Sequence, residues 1–176
     1  MKFKIIHLES VEESTICDLS ELSQNLSPNS EILQIFDNGS LEAIGFVSQE
    51  TLVGFAIDFA QYALDNYCSK DKVDSRSTEA LIVARRYLKK QASLQEVKAA
   101  HAAANAAATN AANAAANAAA YAAAYAAYAA YAYAAATYAT WAANAAAGAA
   151  DAAAQNKHKE QNRQGNFILS FFQGQP

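Results

Sequence analysis

The chain has 176 residues, enough for one domain or two small ones. Hydrophobic residues make up 53% of it, but 45 residues are Ala, and residues 99–166 contain no Leu, Ile, Val, Phe or Met. This composition excludes a conventional aliphatic core for the C-terminal half. The content of 6 Gly, 2 Pro and 2 Cys also excludes collagen and a disulfide-stapled scaffold.

Charge is distributed unevenly along the chain. Residues 1–75 carry 4 Lys or Arg and 13 Asp or Glu, whereas residues 76–176 carry 9 and 4. A general nucleic-acid-binding protein needs a dominant basic surface, so this class is not expected. The acidic region instead suits a basic protein partner, because charge complementarity steers and orients association.

The cysteines and histidines do not form a metal-binding or redox pattern. Cys17 and Cys68 are isolated in the sequence, which predicts reduced thiols in a cytoplasmic protein. His7, His101 and His158 are too far apart in sequence for a zinc motif. We therefore expect no metal and no cofactor.

No targeting segment or membrane span is expected. The apolar stretch at the N-terminus is too short for a signal peptide and is followed by Glu9. Residues 99–150 are uncharged, but they lack the large apolar side chains on which membrane insertion depends.

The first 47 residues allow two interpretations. Residues 2–8 are compatible with a short strand, and residues 20–29 are polar and predict a loop. Residues 32–36 and 41–46 then form either a hairpin around an Asn-Gly turn or two short helices, the second capped by Ser40. We favour the helices, because every later element is predicted to be helical.

Three helix starts can be located from their capping residues. Ser48 precedes a run of apolar residues at helical spacing, and Asp74 precedes another after a polar connection over residues 66–74. Ser93 and Glu96 have the spacing of a capping box, which begins a further helix. The predicted apolar faces of the first two helices consist of Leu52, Phe55, Ala56, Phe59, Ala63 and Tyr67, and of Leu81, Ala84, Leu88 and neighbouring Ile82.

The Ala-rich tract that follows is predicted to be helical, because Ala is the strongest helix former. A single helix over residues 99–150 would be about 78 Å long, whereas a compact chain of this size has a radius of gyration of about 16 Å. The tract must therefore fold back. Breaks in the helical phase near residues 109–110 and 133–137 mark where it does so.

These breaks predict three Ala-rich helices, over residues 94–108, 111–134 and 138–162. Gly165 is expected to end the last of them. The apolar segment 167–172 should then dock on the bundle, since it would otherwise form an exposed, aggregation-prone patch.

Polar and aromatic side chains form a regular stripe along the second Ala-rich helix. This Asn/Tyr stripe consists of Asn110, Asn113, Asn117, Tyr121, Tyr125, Tyr128 and Tyr131. It lies either inside the bundle with hydrogen-bonded polar tips, or outside as a recognition surface over inward-facing Ala. We favour the internal position, because aromatic stripes at helical spacing are usually part of a core. A second stripe over residues 137–155 includes Trp141.

No catalytic or cofactor-binding motif is present in the sequence. The one group of residues with catalytic potential is Asp74, Arg76, Arg85 and His101, and we interpret it in preference as a structural ion pair and a helix-contact histidine. An enzyme with its site in residues 1–98 stays an alternative. An Ala-rich, ice-binding-like surface protein is another, although the Thr residues lack regular spacing.

Several short motifs carry a resemblance to a known family. They are Asp74-Ser-Arg76, Ala80-Leu81, Ala84-Arg85-Arg86-Tyr87-Leu88, Ser93 with Glu96, Ala99-Ala-His101-Ala-Ala-Ala104, and the later Ala/Tyr repeats with Trp141. Over residues 50–155 the chain resembles the all-helical, Ala-rich immunity protein family of bacterial polymorphic toxin systems. It departs from the family in having Tyr87 where Trp is common.

The resemblance implies a cytoplasmic protein that is not an enzyme. Such a protein would bind a toxin encoded by the neighbouring gene and neutralise that toxin by occlusion. An acidic region would suit a basic toxin such as a nuclease. The predicted partner-binding residues are Asp58, Asp65, Asp71, Asp74 and Arg76. The predicted fold is an all-α, Ala-rich bundle formed by residues 48–176, with residues 1–47 packed on it as short helices or a small β element.

Overall fold

A computed structural model describes residues 2–6, 14–17, 31–37, 40–111, 113–131, 135–153 and 157–174. Four strands come first: β1 (Lys2–Ile6), β2 (Ser14–Cys17), β3 (Glu31–Asp37) and β4 (Ser40–Val47). Six helices follow: α1 (Gln49–Tyr67), α2 (Ser75–Leu88), α3 (Leu94–Thr109), α4 (Ala114–Tyr131), α5 (Ala135–Ala152) and α6 (Lys157–Gln173). A short 3₁₀ turn, Lys70–Lys72, separates α1 from α2.

The predicted all-α, Ala-rich bundle is confirmed, and its first three helices begin at the predicted capping residues. The Ser48 side chain accepts a hydrogen bond from the Thr51 amide, and Asp74 accepts one from the Arg76 amide. At the start of α3, Ser93 accepts from the Glu96 amide while the Glu96 carboxylate accepts from the Ser93 amide. Capping depends only on residues a few positions apart, which is why sequence spacing located it.

The N-terminal segment contains a β-sheet, so the preference for short helices over residues 32–46 was wrong. All neighbouring strands are antiparallel in the order β2-β1-β3-β4, and β3 and β4 form the hairpin of the alternative interpretation. Ile35, Ala43 and Val47 are buried, whereas Leu41 is 52% exposed. A bulge between Ile35 and Phe36 explains the difference, because one extra residue in β4 reverses which face its side chains occupy.

Ala faces fill the interior of the bundle. Helix α4 packs against α1, α3 and α5, and both predicted reversals of the Ala-rich tract are found, between α3 and α4 and between α4 and α5. Eleven Ala residues of α4 are buried. Since each of these buried Ala residues has only a methyl group as its side chain, the helix backbones can approach closely and gain dispersion contacts without loss of rotamer entropy.

The prediction of one helix over residues 138–162 was wrong. Helix α5 ends at Ala152, and α6 runs from Lys157 through Gly165 to Gln173. A Gly inside a helix costs only about 1 kcal/mol, which tertiary packing easily outweighs. Here Ile168 and Phe172 are buried one helical turn apart, so the predicted docking of the C-terminal apolar segment is confirmed.

The larger apolar side chains form a second part of the core, between α1 and α6. The Phe55 ring lies edge-on to Phe167, Phe171 and Phe172 at centroid distances of 5.9, 5.1 and 6.1 Å.

Among the described residues, none of the helices has the length and hydropathy that crossing a bilayer requires. The predicted loop over residues 20–29 and the prediction for His7 lie outside the described residues. Cys17 lies in β2, but its side chain is not among those described.

Candidate partner-binding surfaces

Asp58 and Asp65 lie on one exposed edge of α1, joined through Gln61. The Gln61 amide donates to Asp65 Oδ1 at 3.1 Å, and its Oε1 accepts from Arg85 at 3.3 Å. Arg85 also approaches Asp58 Oδ1 at 3.8 Å. Partial burial raises the pKa of Asp58, and the positive charges of Arg85 and Arg163 oppose that shift. We call this group the acidic edge.

Asp71, Asp74 and Arg76 lie beyond the C-terminal end of α1 and form a separate group. Asp74 binds the Arg76 guanidinium through both carboxylate oxygens, at 2.9 and 2.7 Å. These hydrogen bonds lower the pKa of Asp74, and they raise the pKa of Arg76. Asp71 is exposed on the 3₁₀ turn. Of the five predicted partner-binding residues, the structure therefore places two on α1, one on the 3₁₀ turn, and Asp74 and Arg76 together at the start of α2.

Asp71 and Asp74 also line a cavity of about 300 Å³. We call it the interhelical cavity, because residues of α1, α2, α3 and α4 surround it. Its lining consists of Leu64, Cys68, Asp71, Lys72, Val73, Asp74, Ser77, Ala107, Asn110, Ala111, Ala116 and Ala120. No sequence signal indicates this cavity, since its walls come from four distant segments.

The four residues with catalytic potential have different partners in the structure. Asp74 binds Arg76, while Arg85 contacts Asp58 and Gln61. His101 Nδ1 forms a hydrogen bond with the Tyr131 hydroxyl at 3.0 Å. The contacts of this group are thus those of ion pairs and a helix-contact histidine.

Aromatic side chains from three helices form a continuous cluster. The aromatic cluster consists of His101 on α3, Tyr121, Tyr125, Tyr128 and Tyr131 on α4, and Tyr138 and Trp141 on α5. Tyr128 is central, with ring centroids of His101, Tyr131 and Tyr138 at 4.7, 4.8 and 4.1 Å. Trp141 bridges Tyr125 and Tyr138 at 5.4 and 5.0 Å.

This cluster lies at the surface of the bundle and not in its interior. The four Tyr residues of α4 are half-buried, Asn110 and Asn113 are exposed, and the Ala residues between those four Tyr residues are buried. The preferred internal position of the Asn/Tyr stripe was therefore wrong, because the small Ala faces pack more closely than a Tyr face could. Trp141 is 45% exposed.

The chemistry of the cluster is neutral and amphipathic. Burial raises the pKa of Tyr131 to about 12 and lowers the pKa of His101, so both side chains are uncharged near neutral pH. Lys98 lies over the Tyr131 ring at 5.8 Å. Mutual ring packing holds these side chains in place, so that little conformational entropy is lost when a partner covers them.

A buried ionic network connects α6 to α1, and sequence reasoning missed it. The Glu160 side chain is fully buried and accepts two hydrogen bonds from Arg163, at 2.8 and 2.7 Å. The Tyr67 hydroxyl donates to Glu160 at 2.5 Å, and the Arg163 guanidinium lies 3.7 Å from the Tyr62 ring centroid. The i,i+3 spacing of Glu160 and Arg163 is visible in the sequence, but their burial is not.

An all-helical, Ala-rich bundle with a preorganised aromatic cluster and an acidic edge has the features of a protein-binding module. The chain belongs to the Imm-5 like putative immunity protein family, whose family model matches residues 42–166. The matched region contains α1 to α5 and both surfaces described above. The resemblance to an immunity family found in the sequence is confirmed. No curated protein and no solved structure matches the chain.

Proposed function

We propose that this protein binds a toxin of a bacterial polymorphic toxin system in the cytoplasm and neutralises it by occlusion. The observation that carries the proposal is membership of an immunity protein family, which implies a toxin partner in general. An occluding protein needs a rigid, accessible surface and no chemistry of its own. The bundle offers such a surface in the aromatic cluster.

The aromatic cluster is the main contact surface in this proposal. Tyr and Trp are enriched among the residues that dominate binding energy, because each buries a large area at a low cost in side-chain entropy. Trp141 and Tyr125 lie in ring contact at 5.4 Å, on neighbouring helices. A toxin that covers them would bury a neutral surface, so this part of the interaction should depend little on salt.

The acidic edge is the second contact surface, and it would face a basic part of the toxin, such as that of a nuclease. Asp58 is 48% exposed beside Arg85, and Asp65 is exposed beyond it. Ion pairs at the rim of an interface mainly accelerate association. Replacement of Asp65 by Asn should therefore slow association with the toxin, and this effect should disappear at high ionic strength.

The first experiment is co-expression with the toxin candidate encoded by the adjacent gene. Purified immunity protein should form a 1:1 complex, and toxin activity should be lost in proportion to the amount of complex formed. An enzyme that inactivates the toxin would instead protect at much less than one equivalent. Absence of both binding and protection for the adjacent gene product would contradict the proposal.

The second experiment tests the contact surface with a matched pair of variants. Trp141→Ala should weaken toxin binding by about 30-fold, the effect of losing roughly 2 kcal/mol at an interface hot spot. Ile82→Ala is the control. The prediction that Ile82 on α2 is part of the buried face was wrong, since its side chain is 43% exposed, against 45% for Trp141, and it lies outside the aromatic cluster. Equal affinities for the two variants would exclude the aromatic cluster as the contact surface, while the proposed function would still stand.

A further inference from the structure

Strand β4 lies at one side of the described sheet. Within the described residues it pairs with β3 alone, in the strand order β2-β1-β3-β4. Beyond the bulge near its start, residues 43–47 pair regularly with residues 31–35. A strand in this position presents a row of backbone N–H and C=O groups with which a further strand can pair. We call the outer side of residues 43–47 the β4 edge.

The composition of β4 does not protect this edge. Proteins commonly block an exposed edge strand with Lys, with Pro or with a covering segment. Strand β4 contains no Lys, Arg or Pro. Its Leu41 and Ile44 are 52% and 53% exposed, the largest exposed fractions among the large apolar side chains of the described residues.

Helix α6 packs on one face of β4 and leaves the other face accessible. The Phe172 ring lies where a Cβ of Gly45 would be, whereas the neighbouring Ile44 side chain is exposed. Helix α6 reaches the backbone of β4 at the bulge, where Gln173 Nε2 donates to the Glu42 carbonyl at 3.4 Å. That carbonyl therefore already accepts a hydrogen bond from a donor outside the sheet.

The charges around β4 favour a basic partner. The sequence contains no Lys or Arg from residue 5 to residue 69. Glu42 in β4 and Glu50 in the first turn of α1 are both exposed. Lys2 and Lys4 belong to β1, which lies two strands, or about 10 Å, from β4. A second copy of this chain would bring two acidic segments together at the β4 edge, whereas a basic segment would be attracted to it.

The acidic surface continues from β4 along α1. At 100° per residue, Glu50, Asp58 and Asp65 fall within about 80° of one another around α1, and all three are exposed. The family model begins at residue 42, so β4 is the described strand that lies within the matched region. The β4 edge thus extends the acidic edge, which the proposed function assigns to a basic part of the toxin.

We propose that the β4 edge takes an extended, Lys- or Arg-rich segment of the toxin as an added strand. The backbone of that segment would form hydrogen bonds with residues 43–47, and an apolar side chain would pack on Ile44. Its basic side chains would face Glu42 and Glu50. This inference rests on the proposed function, because it specifies the form and charge of the toxin segment that is recognised.

The β4 edge can be tested on the isolated protein with three short peptides. Acetyl-Lys-Val-Lys-Val-Lys-Val-amide is basic and favours an extended strand. Acetyl-Lys-Pro-Lys-Pro-Lys-Pro-amide keeps the charge, but each Pro removes a backbone donor. Acetyl-Glu-Val-Glu-Val-Glu-Val-amide keeps the strand preference and reverses the charge.

NMR titrations then separate strand pairing from simple charge attraction. At about 5 mM, the Lys-Val peptide should shift the amide resonances of residues 43–47, as a millimolar ligand would, and the other two peptides should not. Absence of shifts with the Lys-Val peptide, or equal shifts with the Lys-Pro peptide, would overturn the inference.

The oligomeric state distinguishes a toxin segment from a second copy of the chain. Sedimentation at the concentration of the NMR sample should show a monomer, because the acidic surfaces of two copies repel each other. A dimer that Ile44→Lys dissociates would mean that β4 pairs with itself, and the inference would then be wrong.

The toxin complex provides the final test. Ile44→Lys places a charge of the kind that prevents edge pairing, and it should weaken toxin binding about tenfold. Ile82→Lys makes the same change at an exposed residue of α2 and should leave the affinity unchanged. Because Ile44 is 53% exposed, its variant should keep the wild-type urea midpoint. Glu42→Gln is the second variant at this site, and it should weaken toxin binding severalfold.

The two proposals can fail separately. Unchanged affinity of Ile44→Lys and Glu42→Gln, or an equal loss for Ile82→Lys, would reject the inference and leave the proposed function intact. If the wild-type protein binds no toxin, the proposed function fails, and the peptide titrations alone decide whether the β4 edge takes a basic strand.

Discussion

The contact between β4 and α6 leads to a prediction in which one substitution has opposite effects at two positions. Gly45 lies in β4 against the Phe172 ring, and a Cβ at residue 45 would overlap that ring. Gly54 lies inside α1, where a Cβ meets no described atom within 4 Å outside its own helix. Ala at residue 45 should therefore destabilise the protein, and Ala at residue 54 should stabilise it.

The magnitude follows from the surroundings of the Phe172 ring. The ring is 3% exposed and packs edge-on against Phe55 and Phe171, at 6.1 and 5.3 Å. Its displacement into solvent would lose roughly 1.5–3 kcal/mol of burial. Overpacking in place costs a similar 1–3 kcal/mol or so. Gly45→Ala should therefore cost about 2 kcal/mol by either route, whereas Gly54→Ala should gain up to about 1 kcal/mol from helix propensity.

Urea denaturation followed by circular dichroism measures both effects. For a slope of about 2 kcal/mol/M, the midpoint should fall by about 1 M for Gly45→Ala and rise by up to about 0.5 M for Gly54→Ala. In a double-mutant cycle, Gly45→Ala should cost much less when Phe172 is already Ala, because the overlapping ring is gone. Midpoints that shift in the same direction, or a Gly45→Ala cost that is independent of Phe172, would refute the described docking of α6 on the sheet.

Two further predictions concern buried polar groups. Replacement of Glu160 by Gln should lower the free energy of unfolding by about 3–5 kcal/mol, because it leaves Arg163 without its buried counter-charge. Urea denaturation measures this change, and a decrease below about 1 kcal/mol would contradict the described ionic network. Burial lowers the pKa of His101 in the folded state, so its contribution to stability is present above the unfolded pKa of about 6.5 and is lost as pH falls toward the folded value. Between about pH 7.5 and 5.5 the wild-type protein should therefore lose stability that His101→Gln retains, and parallel pH profiles would count against this interpretation.

The aromatic cluster shows how far sequence reasoning reaches toward the site. Helical phase alone places Tyr121, Tyr125, Tyr128 and Tyr131 on one face of a helix. It cannot show that Tyr138 and Trp141 complete the cluster from α5, since that contact depends on how α4 and α5 pack. It also favours the wrong side of the helix, because hydrophobic periodicity alone does not show whether Ala or Tyr fills the core.

The interhelical cavity and the ionic network were not predictable in this way. Ser77 is an ordinary residue in the first turn of a helix, and only its burial beside α3 and α4 makes its hydroxyl unusual. The partner of Glu160 on α1, Tyr67, lies 93 residues away in the chain. Neither relation leaves a local pattern, because each arises where segments distant in sequence meet.

The helical state of the Ala-rich tract, the capped starts of α1, α2 and α3, and the two reversals within the tract could all be predicted from the order of the residues. Capping and helix propensity act over a few residues, so local spacing is sufficient to locate these features. Three features depend on packing between distant segments: the strands within residues 31–47, the continuation of α6 through Gly165, and the inward orientation of the Ala faces. In each case the local preference differs between alternatives by about 1 kcal/mol or less, whereas burial against the rest of the chain contributes more.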